Sequence, residues 1–324
     1  MKLYRLENNS IQVDISPIGA SIINFQVPDK NGHGVNIALG YDNETQYLSN
    51  GTYFGAVVGP IANRIDMGSF TLDGTTHQLT QNDGTNHLHG GKAEINNRYW
   101  EVIEHTNNRI QLSVTVNKGE GGYPCEINIQ VTYILNDQNE LEIRYSAVPK
   151  SRCPLNITQH VYFNLNGKGD ILDHILHLDA DTFLPVNENL IPEDIAPVEN
   201  TPFDFSKATS IGANLNKPHS QIQIAGGFDH CWILNHKDYS MDVYSPASGI
   251  RLQAKTDLPG VQFYTGNFLN NEQGRDGDVY RRHAGLCLET QYFPNQANRD
   301  NAEECVFNKN KPFTSITIYK VSNH

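Results

Sequence analysis

The residue most suspicious for its setting is Glu289, a carboxylate inside the apolar run Gly285-Leu286-Cys287-Leu288-Glu289-Thr290-Gln291. In a strand, Cys287, Glu289 and Gln291 share one face, while Leu286, Leu288 and Thr290 share the other. Carboxylates are rarely buried unless paired or functional, and partial burial raises their pKa and makes them better bases once ionised. The alternative is a structural ion pair with an arginine. In Thr158-Gln159-His160-Val161-Tyr162-Phe163-Asn164-Leu165-Asn166-Gly167, His160 and Tyr162 face one way and Val161 and Phe163 the other. Asn166-Gly167 then supplies a turn, since both residues tolerate positive φ. Taken alone, this stretch also reads as a half-buried strand with a hydrogen-bonded histidine.

Further clusters supply hydrogen-bonding groups. Asn63-Arg64, in Ala62-Asn63-Arg64-Ile65, sets an amide beside a fork of guanidinium donors suited to hydroxyl or carbonyl oxygens, or else Arg64 is a salt-bridged arginine. In Asn86-His87-Leu88-His89-Gly90-Gly91, His87 and His89 are expected on one strand face. A His-x-His pair can hold a metal, but no third ligand lies at a characteristic spacing, so a hydrogen-bonding role ranks first and a polar turn remains open. Asp229, in Gly226-Gly227-Phe228-Asp229-His230-Cys231-Trp232, is a carboxylate among aromatics, a common way to hold a sugar; a turn cap is the alternative. Gln262, in Pro259-Gly260-Val261-Gln262-Phe263-Tyr264, adds an amide in a rigid aromatic setting.

These residues must be positioned by strands. Period-two alternation runs through Ile11-Val13-Ile15, Ile110-Leu112-Val114-Val116, Ile127-Ile129-Val131-Tyr133, Leu141-Ile143-Tyr145 and Phe313-Ser315-Thr317-Tyr319-Val321. That pattern predicts half-buried antiparallel strands. Asn31-Gly32, Asp73-Gly74, Asp83-Gly84 and Asp276-Gly277 punctuate them as hairpin turns. No apolar 3.6-residue period of helical length occurs; residues 204–215 could hold a short helix or turn. Strand-like patterning from residue 3 to residue 321, with no linker or repeat, predicts one all-β domain over residues 1–324, built of stacked antiparallel sheets.

A net charge of −12 over 324 residues argues against a nucleic-acid or anionic-membrane partner. The five cysteines are scattered without a CxxC pair, which fits a reducing compartment. The segment Met1–Asn9 has no apolar core of a signal peptide and no run reaches about 18 apolar residues, so a cytoplasmic location is expected.

With these stretches in hand, the chain resembles the aldose 1-epimerase (galactose mutarotase) family. The matching motifs are Ala62-Asn63-Arg64-Ile65, Asn86-His87-Leu88-His89-Gly90-Gly91, His160 with Tyr162-Phe163-Asn164-Leu165 and Gly167, Gly227-Phe228-Asp229-His230, Pro259 to Asn267, and Glu289-Thr290-Gln291 with Phe293-Pro294. They occur in the family's order and span most of the chain. The resemblance implies a β-supersandwich and interconversion of the α and β anomers of free hexoses, galactose or glucose, without metal or organic cofactor. It implies Glu289 as general base and His160 as general acid. It implies His89, Asn63, Arg64, Asp229 and Gln262 as sugar-binding residues, and gives His87 no role. The chain departs from the family at Gly59-Pro60-Ile61, Gln159, Cys231, Tyr292 and Asn295, none of which removes a matched side chain; the departures are expected to bear on substrate preference and the shape of the site mouth.

Such a reaction needs the C1 hydroxyl proton removed and the ring oxygen protonated, tasks suited to a carboxylate and an imidazolium. The competing expectations are a glycoside hydrolase acting through Asp229 and Glu289, a non-catalytic sugar-binding protein, and a sugar-phosphate epimerase. The last should gather several cations, whereas only Arg64 stands near these motifs and Arg281-Arg282 reads as solvated. Monomer and homodimer are both compatible with the sequence.

Overall fold

The computed structural model describes residues 1–235 and 238–323. The alternating segments form strands: Arg109–Val116, Ile127–Leu135, Glu140–Pro149 and Phe313–Asn323 each bury chiefly one face. Gln12–Ser16 differs, because Asp14 on its polar face is also buried; there it accepts hydrogen bonds from Arg5 at 2.8 Å and Asn24 at 2.8 Å.

A nine-stranded antiparallel sheet runs Glu101–Thr106, Arg109–Val116, Ile127–Leu135, Glu140–Pro149, Phe313–Asn323, Ile250–Thr256, Met241–Tyr244, Ile175–Leu178, Thr209–Ser210. The C-terminal strand lies at its centre, pairing Arg144 with Ile316 on one side and Leu252 with Val321 on the other. A five-stranded sheet runs Ala196–Pro197, Thr182–Leu184, Asp229–Ile233, Gly260–Tyr264, Cys287–Gln291. Beside its last strand runs the pair Thr158–His160 and Ala56–Val58.

The fold is an all-β sandwich, and the contacts between its layers decide which way the site strands face. Tyr319 of the large sheet donates its hydroxyl to the Leu288 carbonyl at 3.0 Å, and the Thr290 and Thr317 hydroxyls bond each other. Tyr133 donates to Gln159 Oε1 at 2.8 Å, and the Phe163 and Tyr319 rings pack edge to face at 5.2 Å. Leu288, Thr290, Gln159 and Phe163 are thus pinned against the large sheet. Strand alternation therefore turns their neighbours His160 and Glu289 to the opposite side.

Asp73-Gly74 forms a two-residue hairpin between Ser69–Leu72 and Thr75–Gln78, with φ of 51° and 76°. The other three predicted turns also fall at chain reversals. At Asn166-Gly167 only Gly167 takes a positive φ, 73°. The stretch 204–215 is part turn and part helix: Asp204 Oδ1 accepts the Ser206 amide in a local turn, and Ile211–Leu215 is a short helix capped by Ser210.

Several histidines are buried in this frame. His174 Nε2 accepts the Leu165 amide at 3.0 Å, and burial lowers its pKa to about 4. Below an unfolded value near 6.5, the unfolded chain takes up a proton that the folded chain refuses until about pH 4. Stability must therefore fall as pH drops through that window. Between about pH 7.5 and 5, a His174→Gln protein should lose roughly 2 kcal/mol less stability to acidification than the parent in urea unfolding. Equal losses would show that His174 is not held neutral.

Candidate active site

Glu289 and His160 form the floor of an open cavity of about 790 Å³. Glu289 is 2% exposed and its Oε1 lies 3.7 Å from His160 Nε2. The other oxygen, Oε2, has no hydrogen-bond partner among the described residues. Burial, reinforced by the charge of Asp229, pushes the Glu289 carboxyl well above the ordinary carboxylate range, with Arg64 pulling the other way. Burial lowers His160 to about 4. Burial thus disfavours a lone charge on either group, each charged form alone being poorly solvated. Across 3.7 Å opposite charges on the two groups would stabilise each other.

The wall beside them is a pair of loops locked together. The Asn63 amide donates to His89 Nδ1, and the His89 amide donates to the Asn63 carbonyl, both at 3.2 Å. Asn63 and His89 take positive φ values of 61° and 50°. Gly90 makes this closeness possible: a Cβ there would overlap the Gly59 carbonyl oxygen. Because His89 Nδ1 accepts, its proton sits on Nε2, leaving a donor for the cavity. Burial, His160 and Arg64 hold His89 neutral. The expected shared strand face for His87 and His89 is not found. The strand His87–Leu88 stops short of His89, and His87 turns inward to the Thr80 carbonyl at 2.7 Å and the Tyr123 hydroxyl at 3.0 Å.

Arg64 is 7% exposed, and its Nε donates to Asp83 at 2.7 Å while Nη1 lies 3.9 Å from Asp229 Oδ2. It is thus both salt-bridged and on the cavity wall. Asp229 also lines the cavity; burial raises its pKa, opposed by Arg64 and Gln262. Gln262 does not line it. Its Nε2 is taken up by Asp229 Oδ1 at 2.8 Å, so it stands behind Asp229 rather than on the wall.

The donor atoms of His89, His160 and Glu289 all lie within 4.8 Å of one another. Two imidazoles and a carboxylate have the chemistry of a metal cage as well as of an acid–base site. Residues distant in sequence supply the third group that no local spacing could show.

Comparison with known proteins identifies the family. Residues 2–320 match the aldose 1-epimerase family. The galactose mutarotase of Sus scrofa is 39% identical over 98% of this chain and 93% of its own length. The aldose 1-epimerase of Escherichia coli strain K12 is 31% identical over 98% and 94%. A solved aldose epimerase homologue from C. elegans superposes with a TM-score of 0.94 at 28% identity, covering 99% of both chains. The chain belongs to the aldose 1-epimerase family. It is an isomerase acting as an aldose 1-epimerase, not a glycoside hydrolase or a non-catalytic binding protein.

Within this aldose 1-epimerase site, none of Pro60, Ile61, Gln159, Cys231, Tyr292 and Asn295 lines the cavity. Two of them support it from behind. Gln159 ties the His160 strand to Tyr133, and the Asn295 amide donates to the Arg64 carbonyl at 2.8 Å. Other cavity residues had no local signal in the sequence. Tyr53, with φ of 62°, sets its ring 4.8 Å from His89 and 5.6 Å from His160. Phe268 is 61% exposed at the rim, and Asp83 holds Arg64.

Removing Asp83 leaves the buried Arg64 guanidinium with only the more distant Asp229. An Asp83→Ala enzyme should show a KM raised about fivefold, on the order of 1 kcal/mol of lost binding, with kcat little changed. Steady-state polarimetry measures both constants; an unchanged KM would mean that Asp83 does not orient Arg64 for substrate.

Proposed function

We propose that the enzyme interconverts the anomers of free, neutral hexoses, galactose or glucose, with Glu289 and His160 as the acid–base pair. The observation that carries this is their 3.7 Å juxtaposition on the cavity floor, with His89 beside them. In the active charge state Glu289 is ionised and His160 protonated. Glu289 takes the C1 hydroxyl proton, and His160 Nε2 gives its proton to the ring oxygen. The C1–O5 bond breaks to leave an open-chain aldehyde and a neutral Glu289–His160 pair. Rotation about C1–C2 presents the other carbonyl face, and the two transfers run backward to close the ring. The neutral pair that burial favours is thus the state that accompanies the open chain, which keeps that intermediate from being stranded beside unsolvated charges.

His89 is proposed to donate from Nε2 to the sugar, and Asn63, Arg64 and Asp229 to fix its remaining hydroxyls, with Gln262 holding Asp229. Fixing those hydroxyls leaves only the C1 end free to turn. Galactose is the substrate named for the mammalian relatives, which supports it as the first to test. A neutral aldose rather than a phosphate ester fits Arg64, whose charge is already matched by Asp83 and Asp229.

Residues 1–324 are read as one domain, working as a monomer or homodimer in the cytoplasm without nucleic acid; the net charge of −12 and the five scattered cysteines support this. No helix among the described residues is long and apolar enough to cross a membrane.

Freshly dissolved α-D-galactose and α-D-glucose, followed by optical rotation, should relax faster with the enzyme. A Glu289→Gln protein should lose on the order of 10²–10⁴ of that acceleration. Near-normal turnover in the folded variant removes Glu289 from the role. The pH profile of kcat/KM should be bell-shaped. It falls in acid as the pair takes a second proton and in base as the pair loses its only one. A flat profile across the range where the protein stays folded contradicts a shared proton.

A further inference from the structure

Only one ring nitrogen of His160 serves the cavity. Nε2 lies 3.7 Å from Glu289 Oε1, whereas Nδ1 lies 3.6 Å from the sulfur of Cys287. The role proposed above for His160 constrains what Nδ1 must carry. When Nε2 gives its proton to the ring oxygen, the imidazole is left neutral only if Nδ1 keeps its own hydrogen. An Nδ1–H in a buried site needs an acceptor. The strand Cys287–Gln291 supplies one, because Cys287 and Glu289 are two residues apart and share a face.

Cys287 is fully buried in an aromatic cluster with Phe54, Tyr162 and Tyr264. Burial, with Glu289 and Asp229 nearby, keeps it a thiol. A neutral sulfur is a weak hydrogen-bond acceptor, unlike the carboxylate that orients histidine in many acid–base sites.

We infer that Cys287 is a positioning residue for the epimerase reaction: its uncharged sulfur accepts from Nδ1–H of His160, fixing the tautomer in which Nε2 is the shuttling atom. A carboxylate at this position would hold the imidazolium and blunt it as an acid; an apolar side chain would take away the sulfur acceptor. This inference rests on the acid–base reading of His160, but its primary readout does not depend on turnover.

The test is a long-range proton–nitrogen NMR spectrum of histidine-labelled protein, with the His160 signals assigned by their absence from a His160→Asn protein. The parent and a Cys287→Ser variant, whose hydroxyl can also accept, should both show His160 neutral with its hydrogen on Nδ1. A Cys287→Ala variant should shift toward the Nε2–H form. Its kcat should fall on the order of tenfold with KM within about twofold, a part of the worth of a positioned acid. An Nε2–H form in the parent would overturn the inference, since sulfur would then be the donor. So would an alanine variant that keeps Nδ1–H at any rate, or one that changes tautomer without losing kcat. If the alanine variant does not fold, the parent and serine spectra still decide. Normal turnover in Glu289→Gln would instead sink the functional reading while leaving the tautomer result standing.

Discussion

The site depends on keeping a carboxylic acid and an imidazole out of water within 3.7 Å of each other. Burial alone makes each of them resist its charge. Proximity alone would give an ordinary ion pair, stable and unreactive. Together they disfavour a lone charge on either group, because each charge is tolerated best in the presence of the other. A reaction that moves one proton on and one proton off a sugar needs such a pair, and needs it to return to its starting state when the ring closes.

The rest of the fold serves that arrangement. The large sheet presents Tyr133, Thr317 and Tyr319 upward, and each bonds a residue adjacent to a site residue rather than the site residue itself. Pinning Gln159, Leu288 and Thr290 in this way fixes the facing of His160 and Glu289 through the alternation of their strands. The loop wall is built differently. Asn63 and His89 hold each other through one backbone bond and one from the Asn63 amide to the His89 ring, and Gly90 lets the chain pass close to Gly59. Rigid strands thus carry Glu289 and His160, and interlocked loops carry Asn63 and His89.

The strands and turns were legible because a half-buried sheet imposes a period of two on the sequence. Glu289 stood out for the same reason: a carboxylate breaks an apolar run only where something answers it. Periodicity failed where the backbone left the strand. His87 and His89 alternate as if on one face, yet φ of 50° at His89 sends them to opposite sides of the wall. Gln262 matched its motif but lies one layer back, a depth that spacing along a chain does not encode. Tyr53 reaches the cavity from a segment with no pattern of its own, and Asp83 read only as part of a hairpin turn. The departures from the family gave no sign of their depth, because sequence shows what differs and not which side of a strand it occupies. The resemblance to aldose 1-epimerases located the reaction; the structure adds that Glu289 and His160 are buried side by side.

The most direct test of the proposed acid–base pair is the protonation state of Glu289 itself. Infrared difference spectra between the parent and Glu289→Gln proteins, taken without sugar near neutral pH, report whether the carboxyl carries a proton. The account predicts the carbonyl stretch of a protonated, buried carboxylic acid in the parent and its loss in the variant. Carboxylate bands in its place would mean that Glu289 is ionised at rest, and that the site stores charge instead of creating it during the reaction.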